Sequence, residues 1–387
     1  MPRAMFPHLP PLSLYVHLPW CVHKCPYCDF NSHEQRGTLP EADYVSALLA
    51  DLDAAAAGAQ GREVSTIFIG GGTPSLFSAA AISRLLDGIC RRVAVSAAAE
   101  VTLEANPGTV EADKFRGFRE AGVNRLSLGV QSFQPRHLQA LGRIHDDVEA
   151  RRAVDLALEN FDEVNLDLMY VLPGQTPEDA VADAAAAAAS GASHLSFYHL
   201  TIEPNTVFFS RPPVLPDEDA AAAIEDAVHV RVAEAGLRRY EVSAWGRAGH
   251  ECRHNLNYWR FGDYLGIGAG AHAKITWPDR IVREARTRAP ADYLRRVSGG
   301  DAVAERREVT VRDATFEFML NALRLPEGFP EKLFAERTGQ PLSAAEPGLS
   351  RAIDRGLLTR ERGELRPTPL GLRFLNDLIE LFLPDRG

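Results

Sequence analysis

Lysine is scarce in this chain: four occur in 387 residues, at Lys24, Lys114, Lys274 and Lys332, so nearly all positive charge is arginine. With the abundance of alanine, this reads as a coding bias without functional content. No run of basic residues relieves the net charge of −10, which disfavours nucleic acid or an anionic membrane as the main partner. Long apolar runs are also missing. No stretch approaches the ~20 residues a membrane span needs. Met1–Leu12 carries one arginine and four prolines and no apolar segment of the kind a secretion signal has. Cysteine is infrequent and unevenly placed, with five in all and three of them within eight residues. An odd, clustered set without a secretion signal argues for reduced thiols, and the expected location is cytoplasmic.

What is present is an alternation of short apolar strands and amphipathic helices. The expected strands are Leu12–His17, Thr66–Ile69, Glu100–Glu104, Arg125–Gly129, Val164–Met169 and Leu195–His199. Helices are expected between them at Glu41–Ala57, Ala79–Arg92, Glu111–Ala121 and Pro177–Ala189. Repeated βα units with right-handed crossovers predict an α/β fold, a partial or full (β/α) barrel. Polar residues interrupt the strands with period two: Thr102 shares a face with Glu104, and Asn165 with Asp167. A solidly packed barrel carries branched apolar residues there, so these side chains either line a ligand-filled lumen or face solvent on an open sheet. A proline-rich loop at Arg211–Pro216 leads to a helix over Asp217–Ala235. From about Val309 the pattern is three helices, a hairpin turning at Gly363 and a helix over Pro369–Leu383, which suggests a small winged-helix-like unit. The expected organisation is a core over 1–240, a barrel extension over 241–308 and the C-terminal unit over 309–387.

Cys21, Cys25 and Cys28 follow directly on the first strand with three and two residues between them. Three thiolates on a compact loop can each bind one iron of a 4Fe-4S cubane, leaving a fourth iron open to chelation by the amino and carboxylate groups of S-adenosylmethionine (SAM). The competing use is a zinc ion completed by His17, His23 or His33, although no second cysteine pair accompanies the triplet. Cys90 is expected to be a buried helix residue and Cys252 incidental. Gly266-Ile-Gly268-Ala-Gly270 lacks the βαβ setting of a dinucleotide fingerprint and is expected to serve backbone packing.

The segment from Tyr15 through Cys21, Cys25 and Cys28 to Asn31 resembles the cluster loop of the oxygen-independent coproporphyrinogen III oxidase family of radical SAM proteins. The likeness continues through Gly70–Pro74, Glu104-Ala-Asn-Pro107, Arg125–Phe133, Leu141-Gly-Arg143 and Asn165–Met169. The resemblance implies a radical SAM barrel whose SAM pocket includes Gly71, Gly72, Thr73, Glu104, Gln131, Arg143 and Asp167. Arg143 would face the methionine carboxylate, and Tyr15 and Tyr27 would flank cluster and SAM. A guanidinium pairs a carboxylate bidentately, and carboxylates accept from ammonium and hydroxyl groups.

Two departures separate the chain from the porphyrinogen-oxidising branch. Phe30 stands where that branch has a fourth cysteine, and only twenty residues precede the cluster. His254-Asn-Leu-Asn-Tyr258-Trp259 is instead similar to the motif of the heme-chaperone branch, which implies heme as cargo, His254 as its ligand and a heme-acceptor protein as partner, with peripheral contact at membrane respiratory proteins. Imidazole is a proper heme ligand, though His199 and His272 compete. The expectation is therefore heme binding and transfer. Two readings stand beside it: SAM-dependent oxidation of coproporphyrinogen III or another tetrapyrrole, and an interaction protein whose cluster only supports assembly.

Overall fold

The computed structural model describes residues 6–109 and 112–384. Every expected strand forms, each slightly longer than its apolar core. They are β1 (Leu12–Leu18), β2 (Val64–Gly71), β3 (Val95–Ala105), β4 (Arg125–Gln131), β5 (Glu163–Tyr170) and β6 (His194–His199), paired in parallel in chain order. The helices between them sit close to expectation. Pro177–Ala189 shows why its alanine run is an element and not a linker. Ala180, Ala184 and Ala187 recur on one buried face, and Thr176 with Asp179 closes a capping box at its start. The helix expected at Glu111–Ala121 runs Ala112–Glu120; Glu111 lies outside the described residues.

The sheet then extends at both ends. β7 (Arg238–Glu241) and β8 (Ala244–Gly246) continue it antiparallel beyond β6. On the other side β9 (Asp263–Ile267) pairs parallel with β1, followed antiparallel by β10 (His272–Trp277), β11 (Arg280–Arg286) and β12 (Val303–Glu308). The order across the twelve strands is β12-β11-β10-β9-β1-β2-β3-β4-β5-β6-β8-β7. Because β9 takes the edge of β1 that closure onto β6 would need, the barrel is partial. One apolar core joins Leu14, Ile69, Leu103, Leu128 and Leu166 to Ile267, Ile275 and Tyr293, so the strands after residue 240 continue the same body.

A second core lies in the C-terminal unit around Phe318, which packs edge-on against Phe329 and Phe334 at 5.1 and 5.2 Å. This unit carries three helices ahead of the hairpin Leu358–Glu361 and Glu364–Pro367, on which a three-stranded sheet is built. The hairpin turns through Arg362 and Gly363, both at positive φ, as a two-residue turn matched to strand twist requires. The final helix differs from expectation. It breaks into Pro369–Arg373 and Leu375–Glu380 at Phe374, whose ψ of 47° is not helical. Cys90 also differs: as the last residue of Ala79–Cys90 it is exposed, whereas Cys252 is buried. Among the described residues, no helix is long and apolar enough to cross a membrane.

Candidate functional site

The cluster loop leaves β1 at Leu18 and is pinned along its length. Trp20–Cys21 pairs in parallel with His33–Glu34, and the Cys28 N–H donates to the Cys25 carbonyl. Lys24 Nζ ties down the carbonyls of Phe30 and Ser32 at 3.1 and 3.2 Å. Asn31 Nδ2 donates to the carbonyls of Ala269 and Arg288. The glycine run 266–270 packs against this loop: at Gly268 and Gly270, both at positive φ, a Cβ would strike the His17 carbonyl and the Asn31 amide.

Cys21, Cys25 and Cys28 line one cavity of about 360 Å³ over the C-terminal ends of β2–β6, the end where such barrels place their sites. None of the three is in a disulfide. Burial pushes the Cys21 thiol up to about 11, and it raises Cys28 as well. Two of the three histidines of the zinc reading are engaged elsewhere, and the third, His33, does not line the cavity. His17 bonds Tyr15 and the Asn31 carbonyl, and His23 pairs with Glu34 at 3.2 Å. Among the described residues no three Cys, His, Asp or Glu side chains converge on one ion position. A cubane makes no such demand, since it spreads its protein sulfurs over separate irons.

The same cavity brings together Tyr27, Gly71, Gly72, Thr73, Glu104, Gln131, Arg143 and Asp167. The glycine run is set by backbone contact. Gly72 and Thr73 N–H donate to the carbonyls of Leu18 and Trp20 at 2.8 and 2.7 Å, and a Cβ at Gly72 would collide with Trp20. The Gly71 N–H donates to Glu104 Oε2 at 3.0 Å. Arg143 descends from the turn at Gly142, whose φ is +65°. Its guanidinium donates to Cys25 Sγ (3.4 Å), Asn106 Oδ1 (2.7 Å) and the Gly129 carbonyl (2.8 Å), with Nε buried and unpartnered.

Asp167 accepts from Ser127 Oγ at 2.7 Å and Asn165 Nδ2 at 2.9 Å. Asn165 is held in turn, its Oδ1 accepting from His194 Nδ1 (2.6 Å) and Ser196 Oγ (3.0 Å), and His194 Nε2 meets the Tyr240 hydroxyl at 2.8 Å. Burial raises the carboxyls of both Asp167 and Glu104. For Glu104 the value reaches about 8, with the neighbouring Asp167 adding to the effect. The pocket thus holds two half-buried carboxyl groups, and no cationic side chain is hydrogen-bonded to either of them among the described residues.

Two expected residues lie elsewhere. Tyr15, mid-strand in β1, is not among the side chains lining the cavity; its hydroxyl bonds His17 at 2.9 Å, its ring lies 6.3 Å from Phe68, and the charge of the pocket residue Glu104 adds to burial in raising its pKa. His254 sits at the opposite, N-terminal end of the strands and is 1% exposed. Thr66 gives its hydroxyl proton to Ser13, so His254 Nδ1 donates to Thr66 at 2.8 Å, while Nε2 accepts from the Tyr258 hydroxyl at 3.0 Å. The ring faces Phe68 at 5.1 Å, and burial holds its pKa down to about 3. With both nitrogens bonded in the interior, His254 has none to offer a heme iron. The rest of the motif is structural too: Asn257 bonds Ser13 and the Asp263 carbonyl, and Trp259 lies under the Arg324 guanidinium at 4.4 Å.

Residues 15–187 match the radical SAM superfamily and residues 309–374 the HemN C-terminal domain. The chain is 52% identical to the heme chaperone HemW of Escherichia coli over 97% of its length and 99% of the relative's. It is 34% identical to the heme chaperone HemW of Bacillus subtilis over 96% and 99%. The chain belongs to the heme chaperone HemW family. Among solved structures, the radical SAM enzyme coproporphyrinogen III oxidase (HemN) of Escherichia coli superposes with a TM-score of 0.82 over 97% of this chain and 90% of that one. At 23% identity that likeness establishes a shared fold. The HemW family membership agrees with Phe30 in place of a fourth cysteine.

Sequence reasoning passed over several pocket residues. Asn106 and Ser127 lie inside motifs singled out for their neighbours, and Asn165 was visible as the strand-mate of Asp167. Tyr198, at the end of β6, lines the cavity without any sequence signal beyond its position, whereas its neighbour His199 was already weighed as a heme ligand.

Proposed function

We propose that this protein is a cytoplasmic heme chaperone: it holds a 4Fe-4S cluster on Cys21, Cys25 and Cys28, binds SAM beside it, and passes heme to an acceptor protein. The observation that carries the reading is the one cavity lined by three unpaired thiols, an arginine and two half-buried carboxyls. The residues fit both groups. Glu104 and Asp167 are oriented acceptors for an ammonium and for ribose hydroxyls. Arg143 supplies a guanidinium at the cluster edge for the methionine carboxylate, and at Gly71–Thr73 a ligand ammonium would meet carbonyl oxygens, because the N–H groups already have partners within the protein. The cluster, when bound, supplies one-electron chemistry to SAM. Heme enters through the chaperone relatives, with a heme protein at the respiratory membrane as the proposed acceptor.

The test is anaerobic reconstitution of the full chain, followed by separate additions of SAM, hemin and coproporphyrinogen III. The expected result is about four irons per chain, as a single cubane requires, removed by Ala at Cys21, Cys25 or Cys28 but not at Cys90. SAM should perturb the EPR spectrum of the reduced cluster, and hemin should give a saturable Soret band. SAM-dependent vinyl formation from coproporphyrinogen III would overturn the chaperone reading.

A further inference from the structure

With His254 locked in the interior, an imidazole ligand for heme is to be sought among the remaining histidines. Two histidines line the cavity, His23 and His199. His23 is paired with Glu34. His199, the last residue of β6, makes a ring contact with Tyr170 at 5.4 Å, and neither of its nitrogens has a hydrogen-bond partner among the described residues. Burial lowers its pKa, so the ring is neutral and can donate a lone pair to iron near neutral pH.

The surroundings suit a flat apolar ligand. Phe30 is 62% exposed at the cavity mouth, and Tyr198 is half exposed beside His199. Val207 and Phe209, also exposed, flank Phe208, whose N–H is tied to the Pro26 carbonyl of the cluster loop. Lys24 lines the cavity with two of its three N–H bonds on carbonyls, leaving one for a propionate. A space of about 360 Å³ holds one ligand of drug size, and on the reading above SAM fills it. A macrocycle then has to lie across the mouth, where a cargo can also leave.

We propose that His199 is the heme-iron ligand, holding heme across the mouth of the SAM cavity with Phe30 against the macrocycle. The proposal rests on heme binding by this chain and assigns where it occurs. The test is hemin titration of the reconstituted full chain, followed by Soret position and resonance Raman ligation markers, for wild type and for His199→Gly, Phe30→Asp and His272→Ala. In His199→Gly the imidazole-ligated spectrum should be lost and affinity should fall by about tenfold or more, the scale of removing a partner at a metal site. Added free imidazole should restore the wild-type spectrum, which a purely structural role for His199 would not allow. Phe30→Asp should weaken binding without changing the ligation markers, and His272→Ala should leave both alone. If wild type binds no heme, the chaperone reading fails and this assignment with it. If wild type binds heme and His199→Gly gives the same spectrum and affinity, the assignment alone is overturned.

Discussion

Glu104 is the residue whose chemistry is most exposed to test. Its folded-state pKa of about 8 lies above the ~4.3 of an unfolded glutamate. Between those values the folded chain keeps a proton that the unfolded chain has released, so stability falls as pH rises across the window. Glu104→Gln cannot ionise and escapes that loss. Without SAM its melting temperature should match wild type near pH 4 and exceed it by several degrees at pH 8; a gap independent of pH would contradict the origin assigned here. Asn165 makes a different prediction. It touches no ligand, yet its amide fixes one oxygen of Asp167. Asn165→Leu should weaken SAM binding about ten- to a hundredfold, the cost of one charge-assisted bond. An EPR titration would measure this, with the iron content of the variant unchanged.

At the scale of elements, the cluster loop and the glycine run after β2 behave as one unit, because each supplies the other's backbone partners. Gly72→Ala should therefore reduce iron incorporation on reconstitution even though residue 72 ligates nothing, since its Cβ displaces Trp20, the residue next to Cys21. Full iron content in that variant would separate the two segments. The strands β1–β6 were legible because each is a short apolar run closed by a motif, and the period-two polar residues Glu104 and Asp167 line the cavity, not solvent on an open sheet. The pairing of β9 with β1 was not legible: strand partners across some 250 residues are chosen by the tertiary fold, which local propensity does not report. His254 shows the same limit inside a motif. The sequence places it beside aromatics, but only the packed helix reveals that it faces Thr66 and Phe68 and not a cavity.

Across the whole molecule, the two cores meet through Phe261, which touches Phe318 at 5.9 Å and covers the Lys274 ammonium at 4.1 Å. Lys274 is fully buried and pairs with Asp263 at 2.9 Å, while Arg62 holds the other oxygen at 2.7 Å. Asp263→Ala would strand the ammonium without its counter-charge. Removing one partner of a buried pair costs about 3–5 kcal/mol, which a denaturant midpoint would show as a large loss; a shift within error would mean that the junction relaxes around Lys274. The helix carrying His254 has a further consequence. On the proposed reading the cavity is a well entered from the C-terminal ends of the strands, since the helix carrying His254 packs on their N-terminal side. Occupants of such a well obey a loading order: the deeper one enters first and departs last. If heme lies across the rim as proposed, it sets the escape rate of everything beneath it, so SAM should exchange slowly while heme is aboard and quickly once heme has been handed on.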